Sequence, residues 1–242
     1  MNEALGPSTP AAAGAEAHAF VVDLDRPELT DEDRHHLERV LRLRPGVPVT
    51  VSDGRGHWRT VRFGPTLEPD GPVIAVSRLA PPITIAFAVP KGERPEMVVQ
   101  KLTELGVDEI VPFHAAHSVV RWEGERAVRH VERLRRVARE AAMQSRRCWL
   151  PMVTDVTRFS DVASRPGAVR ADQRGVGPTL RQSVVLVGPE GGWSASECEV
   201  LSHSVALGDH VLRAETAAIT AASLLTALRL GLVAPMSGQN VT

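Results

Sequence analysis

The chain has 242 residues, of which 43% are apolar and 24% charged, and its formal net charge is −1. This composition is typical of a soluble globular protein of one or two domains. No apolar run approaches the ~18 residues of a membrane-spanning helix, so no membrane partner is expected. The only cysteines, Cys148 and Cys198, form no CxxC pair. Neither a disulfide framework nor a zinc site is therefore indicated, and a reducing, cytoplasmic location is expected.

The N-terminal part of the chain combines short strand patterns with turn residues. Residues 1–17, MNEALGPSTPAAAGAEA, lack the basic start and apolar core of a signal peptide and are predicted to be a disordered tail. A helix is predicted over Thr30–Leu43, with Thr30 as its N-cap. Strands are predicted at Phe20–Asp23, Val47–Ser52, Trp58–Phe63 and Val73–Ser77. Residues 18–80 are thus expected to form a small β-rich domain, followed by a stiff linker at Leu79–Pro82.

From residue 81 onward, strand and helix patterns alternate. Strands are predicted at Ile83–Val89, Glu109–Phe113, Val184–Val187 and Val205–Leu207. Helices are predicted at Pro95–Gly106, Gly124–Ser145, from Ser194, and at Glu215–Arg229. Residues 165–182 are polar and contain glycine and proline, so this segment is predicted to be a surface loop. The alternation predicts an α/β domain with a parallel sheet over residues 81–242.

The nearly neutral net charge hides two basic segments. Residues 34–62 contain seven arginines against two acidic residues, and residues 121–147 contain nine arginines against four. Each segment therefore carries a charge of about +5 (7 − 2 and 9 − 4). Local basic surfaces on a neutral protein favour a polyanionic partner, but solvated helix faces with a bias toward arginine give the same pattern.

One glycine-rich stretch, VGPEGGWSASE (Val187–Glu197), directly follows a strand pattern. It lacks the lysine of a phosphate-binding P-loop and the glycine spacing of a dinucleotide site. Ser194 and Glu197 form a capping-box pattern, which is typical of a simple strand-to-helix turn. A ligand pocket at the carboxyl end of the strand explains the glycines equally well, because glycine lets the backbone approach a ligand closely.

A second stretch, LGDHVLRAETA (Leu207–Ala217), repeats the pattern of a strand end followed by a helix start. Glu215 or Thr216 can simply cap the helix, or Arg213 and Glu215 can face a ligand shared with the first stretch. A third segment, QKLTELGVDEIVP, is consistent with a capped helix that leads into a strand. A fourth, EAAMQSRRCWLP, is consistent with a basic helix end. The pair His114 and His117 has no third ligand nearby in the sequence, so no metal site is predicted.

Several of these motifs in register resemble the RsmE family of 16S ribosomal RNA (uracil-N3)-methyltransferases, within the SPOUT superfamily. The motifs are GPEGGWSxxE, LGDHVLRAETA, KLTELGV and EAAMQSR, together with RHHLxxVLRLRPG (Arg34–Gly46) and DGRG (Asp53–Gly56). The resemblance covers nearly everything from Phe20 to Leu232. It departs at Ala214 and His210, where the family commonly has threonine and often arginine.

The resemblance implies an N-terminal PUA-like β-barrel over residues 18–80 and a C-terminal SPOUT α/β domain over residues 81–242, with a trefoil knot at about 184–230. It implies a homodimer that binds S-adenosylmethionine in the knot. The implied cofactor-binding residues are Val187, Gly188, Pro189, Glu190, Gly191, Gly192, Leu207, Gly208, Leu212, Arg213, Glu215 and Thr216.

The implied reaction is methylation of N3 of one uridine in the decoding region of 16S ribosomal RNA in the 30S subunit. N3 lies on the Watson–Crick edge, so the base has to be unpaired or flipped out. Arg213 is a candidate for stabilising the charge of the deprotonated imide, and Glu190, Glu215 or water is a candidate proton acceptor. Candidate RNA-binding residues are Arg34, His35, His36, Arg39, Arg42, Arg44, Arg121, Arg146 and Arg147.

Three other functions compete with this interpretation. A transfer-RNA 2′-O-methyltransferase shares the knotted cofactor site but usually lacks the N-terminal RHHL pattern. A non-catalytic RNA-binding factor for ribosome assembly is disfavoured by the intact GPEGG and LRAETA stretches. A nucleotide-dependent oxidoreductase is disfavoured because its glycine fingerprint is absent.

Overall fold

The structure is a computed structural model, which describes residues 9–90 and 94–235. The chain divides into two compact units. The first contains the residues through Arg78 together with Arg139–Leu150, and the second contains Leu79–Ala138 and the residues from Pro151 onward. Across the described ranges, no helix has both the length and the apolar character needed to cross a membrane.

The first unit is built on a five-stranded sheet. Its strands are β1 (Ala17–Phe20), β2 (Pro48–Ser52), β3 (His57–Arg62), β4 (Glu68–Pro69) and β5 (Ile74–Ala75). β1 pairs in parallel with β2, and the other neighbours are antiparallel, in the order β1-β2-β3-β4 with β5 also on β3. The buried side chains of Val49, Val51, Val61 and Leu37 form the centre of its core.

The predicted helix of this unit is shorter and less regular than expected. α1 covers Asp31–His35 and continues as a π-helical turn over His36–Val40. Thr30 is the N-cap as predicted, because its hydroxyl accepts a hydrogen bond from the Asp33 N–H at 3.1 Å. Arg42 has φ 54°, a left-handed conformation that stops the helix before the predicted end at Leu43.

The prediction of a disordered tail over residues 1–17 is wrong for the described part, residues 9–17. Pro10–Ala13 form a short 3-10 helix, and the Glu16 N–H donates to the Pro48 carbonyl at 2.9 Å. Ala17 then begins β1 and is buried. Small alanine side chains pack against the sheet in this segment. The composition alone does not indicate this burial. Residues 1–8 lie outside the described residues.

Residues 139–150 were predicted within the second domain, but they belong to the first unit. Arg139 donates to both carboxylate oxygens of Asp33, at 2.8 and 2.5 Å. Burial acts to raise the pKa of Asp33, but hydrogen bonds from Arg139 and Thr30 outweigh burial and leave that pKa below its usual value. A forked, charge-assisted contact of this kind ties distant parts of the chain together.

His18 in β1 is buried, and its ring is held from both sides. Nδ1 lies 2.9 Å from the Thr50 hydroxyl, and Nε2 lies 3.1 Å from the Arg147 carbonyl oxygen. Burial lowers the pKa of His18 to about 4, and the charge of Arg146 lowers it as well, against the hydrogen bond to the Arg147 carbonyl. The folded unit therefore keeps His18 neutral at pH values where an unfolded chain would protonate it.

This difference predicts an acid-sensitive stability. The contribution of neutral His18 is fully present above pH 6.5, declines as the pH falls toward about 4, and then levels off. The total change is about 3 kcal/mol. Urea unfolding at several pH values measures it in the wild type and in His18→Gln, which is expected to lose this part of the pH dependence. His35→Gln, at an exposed position, serves as the control. Equal pH dependence in wild type and His18→Gln would contradict the assignment.

The second unit contains a seven-stranded sheet in which every pairing is parallel, as predicted. The order is β12-β10-β11-β6-β7-β8, and β9 also pairs with β7. The strands are β6 (Thr84–Ala88), β7 (Glu109–His114), β8 (Met152–Val153), β9 (Thr157–Arg158), β10 (Ala168–Val176), β11 (Val184–Val187) and β12 (Ser204–Val205).

Helices cover both faces of this sheet. They are α2 (Arg94–Glu104), α3 (Gly124–Gln144), α4 (Phe159–Ala163), α5 (Ala195–Val200) and α6 (Ala214–Arg229). Ile85 and Phe87 of β6 belong to one apolar cluster, and Ala86 and Ala88 belong to another. Successive side chains of a strand point to opposite faces, so both faces of β6 are buried. This explains its uninterrupted apolar sequence.

The prediction that residues 165–182 form a surface loop is wrong for residues 168–176. Ala168–Val176 form β10, which lies between β11 and β12 inside the parallel sheet. Charged side chains are accommodated because Arg170 pairs with Asp172 and also donates from Nε to the Leu201 carbonyl at 3.0 Å. Pairing satisfies these polar groups within a strand that composition alone disfavours.

Candidate methyl-donor site

The GPEGG stretch is the turn between β11 and α5. Val187 is the last residue of β11 and is buried, as is Pro189, whereas Glu190, Gly191 and Gly192 are exposed. A Cβ atom added at Gly188 would lie 2.9 Å from the Trp193 ring, and Gly192 has φ +72°. The first glycine is thus required by close packing and the last by backbone conformation.

Side chains from β7, from the segment after it and from the turn itself fix this turn. The His117 Nδ1–H lies 3.1 Å from the Gly191 carbonyl oxygen and 3.2 Å from that of Gly192. Trp193 stacks on Phe113 with ring centroids 6.2 Å apart. Its indole N–H donates to the Ala171 carbonyl of β10 at 3.0 Å. The turn is therefore held in one conformation by contacts that span three strands of the sheet.

The predicted capping box of α5 is present, and its glutamate makes a further hydrogen bond outside the box. Ser194 accepts from the Glu197 N–H, and the Ser194 N–H donates to Glu197 Oε2 at 2.9 Å. Oε1 of the same buried carboxylate accepts from the Ala116 N–H at 2.8 Å. Glu197 thereby joins the segment after β7 to the start of α5.

The histidines of the HAAH segment make hydrogen bonds to neighbouring backbone groups. His114 Nε2 accepts from the Trp122 N–H at 3.1 Å. Burial, and then the charge of Arg121, lower the pKa of His114, which keeps Nε2 free of a proton and able to accept. Within residues 9–90 and 94–235, no group of three or more histidine, cysteine or acidic side chains is arranged to hold a metal ion.

The second predicted stretch, residues 207–216, lies at the carboxyl end of β12. Its residues border a pocket of about 170 Å³, lined by Leu207, Gly208, His210, Val211, Leu212, Ala217 and residues 171–173 of β10. The carboxyl ends of neighbouring parallel strands are where open α/β sheets bind ligands. Leu207, Gly208 and Leu212 of the predicted cofactor-binding set therefore share one pocket, and β10 contributes three residues that sequence reasoning missed.

Asp172 is the carboxylate of this pocket. The Arg174 N–H, together with the hydrogen bond and charge of the Arg170 guanidinium and the charge of Arg174, holds the pKa of Asp172 below its usual value, although burial acts to raise it. Apolar walls with a few fixed polar groups are what a small-molecule site requires. The pocket lining does not include residues 187–192, although Trp193 connects that turn to Ala171.

The three predicted catalytic residues occupy two different elements. Glu190 is 48% exposed in the turn after β11. Arg213 is the exposed N-cap of α6, while Thr216 is exposed and Glu215 is only 12% exposed in its first turn. Arg94, at the start of α2, contacts both carboxylates. Sequence reasoning missed Arg94 because nothing local in ERPEM links it to residues about 100 positions away.

The nine predicted RNA-binding residues differ in availability. His35, His36, Arg39, Arg42, Arg44 and Arg121 are exposed. Arg34 is half-buried and pairs with Glu38 at 3.3 Å, and Arg146 donates to the Glu16 carbonyl at 3.3 Å. Arg147 is half-buried, and its carbonyl accepts from His18. The exposed arginines around the end of α1 are therefore the most accessible of this set.

Comparisons with known proteins identify the relatives of this chain. Residues 78–226 match the family described as "RNA methyltransferase domain", and residues 29–63 match "RNA methyltransferase PUA domain". The Ribosomal RNA small subunit methyltransferase E of Mycobacterium bovis is 33% identical over 78% of this chain and 82% of its own length. The Synechocystis protein of the same name is 32% identical over 83% and 72%.

A solved structure has the same fold as this chain. A Legionella pneumophila protein in complex with the bound cofactor SAM superposes with a TM-score of 0.74 and 26% identity, over 87% of this chain and 97% of the other. The family match covers more than half of the chain, and the curated relatives align over most of it. This chain therefore belongs to the ribosomal RNA small subunit methyltransferase E family.

Proposed function

We propose that this protein transfers the methyl group of S-adenosylmethionine to N3 of one uridine in the decoding region of 16S ribosomal RNA. Family membership makes it a SAM-dependent ribosomal RNA methyltransferase. The observation that carries the site assignment is the pocket in which Leu207, Gly208 and Leu212 meet β10 at the carboxyl edge of the sheet. A ribosomal substrate also implies a cytoplasmic location.

Three finer features of the architecture belong to this proposal. We expect a trefoil knot over about 184–230, as the family resemblance implies; β12 lies beyond β10, and α6 packs on β6 and β11. Knots of this kind are rare, because protein chains seldom thread through their own loops. The mixed sheet of the first unit is expected to act as a PUA-like barrel. The family resemblance further supports a homodimer.

The residues present fit the cofactor. Leu207, Leu212 and Ala217 supply apolar walls, and Asp172 and Gln173 supply polar groups. Glu215 has one buried carboxylate oxygen, Oε2, without a hydrogen-bond partner. Such an atom is a free acceptor for a ligand donor. When bound, the cofactor supplies an electrophilic methyl group on a sulfonium, while the protein supplies orientation and electrostatics.

The proposed roles in the transfer follow from charge and position. Uracil N3 must lose its proton before it attacks, which leaves negative charge on the imide. We expect the exposed guanidinium of Arg213 at the N-cap of α6 to stabilise that charge, and the amino end of the helix to act in the same direction. Glu215 is the better candidate than Glu190 for accepting the proton, because its carboxylate is mostly buried with one oxygen unengaged.

RNA binding is expected to depend on Arg39, Arg42 and Arg44. These side chains are exposed, and in the described residues none makes a hydrogen bond or ion pair. Replacing all three with glutamine is expected to weaken binding of small-subunit RNA and to reduce the slope of log affinity against log salt by about 2. Filter binding over a salt series measures this. Arg129→Gln, an exposed arginine paired with Glu125, is the control; an unchanged salt slope in the triple variant would contradict the proposal.

Cofactor binding separates this function from a non-catalytic RNA-binding factor. Calorimetric titration of the wild-type protein with S-adenosylmethionine is expected to show saturable binding. A vestigial site would show none. A transfer-RNA 2′-O-methyltransferase would bind the cofactor but methylate a ribose, so analysis of the methylated nucleoside distinguishes that alternative.

A further inference from the structure

A single guanidinium joins the two cofactor segments of the second unit. Arg94 Nη1 donates to Glu190 Oε1 at 3.1 Å, and Arg94 Nε lies 3.7 Å from Glu215 Oε1. Glu190 belongs to the turn after β11, and Glu215 belongs to the first turn of α6. In the part of the chain that the structure describes, no other side-chain hydrogen bond or ion pair connects residues 188–192 with residues 207–216.

The position of Arg94 is set by its own helix. It is the first residue of α2, and Pro95 beside it is buried and fixes the first turn. The helix in turn packs against α6. Arg94 is therefore held relative to the sheet, so its forked side chain presents donors in a fixed direction.

The surroundings make this contact more than a solvated surface pair. Glu215 is 12% exposed, so its end of the contact is largely removed from water, whereas Arg94 is 39% exposed. Among residues 9–90 and 94–235, the second oxygen of Glu215 is buried and has no hydrogen-bond partner. Without Arg94, this carboxylate would have no positive partner within those ranges, and burial of an unpaired charge is strongly unfavourable. The Glu215 side chain and the turn that carries Glu190 would then be expected to shift from their present positions.

We propose that Arg94 is a positioning residue of the methyl-donor site, which holds the GPEGG turn and the start of α6 together by being shared between Glu190 and Glu215. This inference rests on the proposed function, because it takes both segments as walls of the cofactor site. Arg94 acts through the two glutamates. Its effect should therefore appear first in cofactor affinity and in the rate of methyl transfer.

The test compares cofactor affinity in matched variants. Arg94→Ala is expected to raise the Kd for S-adenosylmethionine roughly ten- to a hundred-fold, because misplacing a binding segment by a small distance is costly. Arg94→Lys should give an intermediate Kd, since a point charge cannot fork between two carboxylates. Arg133→Ala is the control, because Arg133 also pairs with a glutamate of α2, Glu96 at 3.0 Å, away from both segments.

A double-mutant cycle with Glu190→Gln supplies the second measurement. The effect of Arg94→Ala on Kd is expected to shrink in the Glu190→Gln background, as for residues that act through one contact. Urea midpoints of all variants are measured in parallel, and the lysine variant keeps the test informative if the alanine variant unfolds. Wild-type affinity in both Arg94 variants, or full additivity in the cycle, would overturn the inference. Absence of cofactor binding by the wild type would instead contradict the proposed function.

Discussion

Replacing Arg229 with alanine is expected to destabilise the second unit by about 3–5 kcal/mol, the cost of breaking a buried ion pair. The Arg229 side chain is 5% exposed and that of Asp108 is 8% exposed. Arg229 pairs with Asp108 and donates to the Gly106 carbonyl at 2.8 Å and the Pro81 carbonyl at 3.3 Å. Asp108 also accepts from the Ile83 N–H at 2.9 Å.

This network joins the end of α6 to the segments before β6 and β7. Loss of the guanidinium leaves the buried Asp108 carboxylate without its cationic partner and two carbonyl oxygens without this donor, and each of these losses carries a desolvation cost. Urea unfolding followed by circular dichroism measures the change. Arg158→Ala, an exposed arginine that pairs with Asp161 at 3.1 Å, is the control and is expected to leave the midpoint nearly unchanged. A similarly small effect for Arg229→Ala would show that the network is not a major source of stability.

Replacing Arg213 with alanine is expected to slow single-turnover methylation roughly a hundred- to a thousand-fold, the usual effect of removing one group that stabilises developing charge. Arg213 is exposed at the N-cap of α6 and its side chain makes no cap hydrogen bond. Its removal should therefore change the rate of transfer much more than the urea midpoint. The guanidinium is proposed to act when the imide is negatively charged, so the loss should appear mainly in the chemical step.

The decisive comparison is made at saturating cofactor and RNA. Arg158→Ala, an exposed arginine paired with Asp161, is the matched control. Calorimetry establishes that each variant still binds S-adenosylmethionine. An unchanged single-turnover rate in Arg213→Ala, with folding and cofactor binding intact, would remove the charge-stabilising role.

Features determined by neighbouring residues were predictable from the sequence. The Thr30 cap, the Ser194–Glu197 capping box and the glycine turn after β11 depend on residues within a few positions of one another. The parallel sheet followed from alternating strand and helix patterns, as at β6 and α2. Hydrophobic periodicity and helix capping depend on residues close together in the chain, so they can be predicted from one sequence.

Features that depend on distant partners were missed. β10 looks like a loop because Arg170 and Asp172 are charged, and it is held in the sheet by its pairing with β11 and β12 and by the bond from Arg170 to the Leu201 carbonyl, 31 positions away. The contact of Arg139 with Asp33, 106 positions away, places residues 139–150 in the first unit. Arg94 reaches Glu190 across 96 positions. No local pattern encodes such pairs.

The central claim is tested most directly by mapping methylated nucleosides in small-subunit RNA. Unmodified 30S subunits and free 16S ribosomal RNA are each incubated with the protein and S-adenosylmethionine, digested, and analysed by mass spectrometry. The proposal predicts one new N3-methyluridine, located in the decoding region, in at least one of the two substrates. Absence of N3-methyluridine from both, or a methyl group on a ribose or another base, would contradict it.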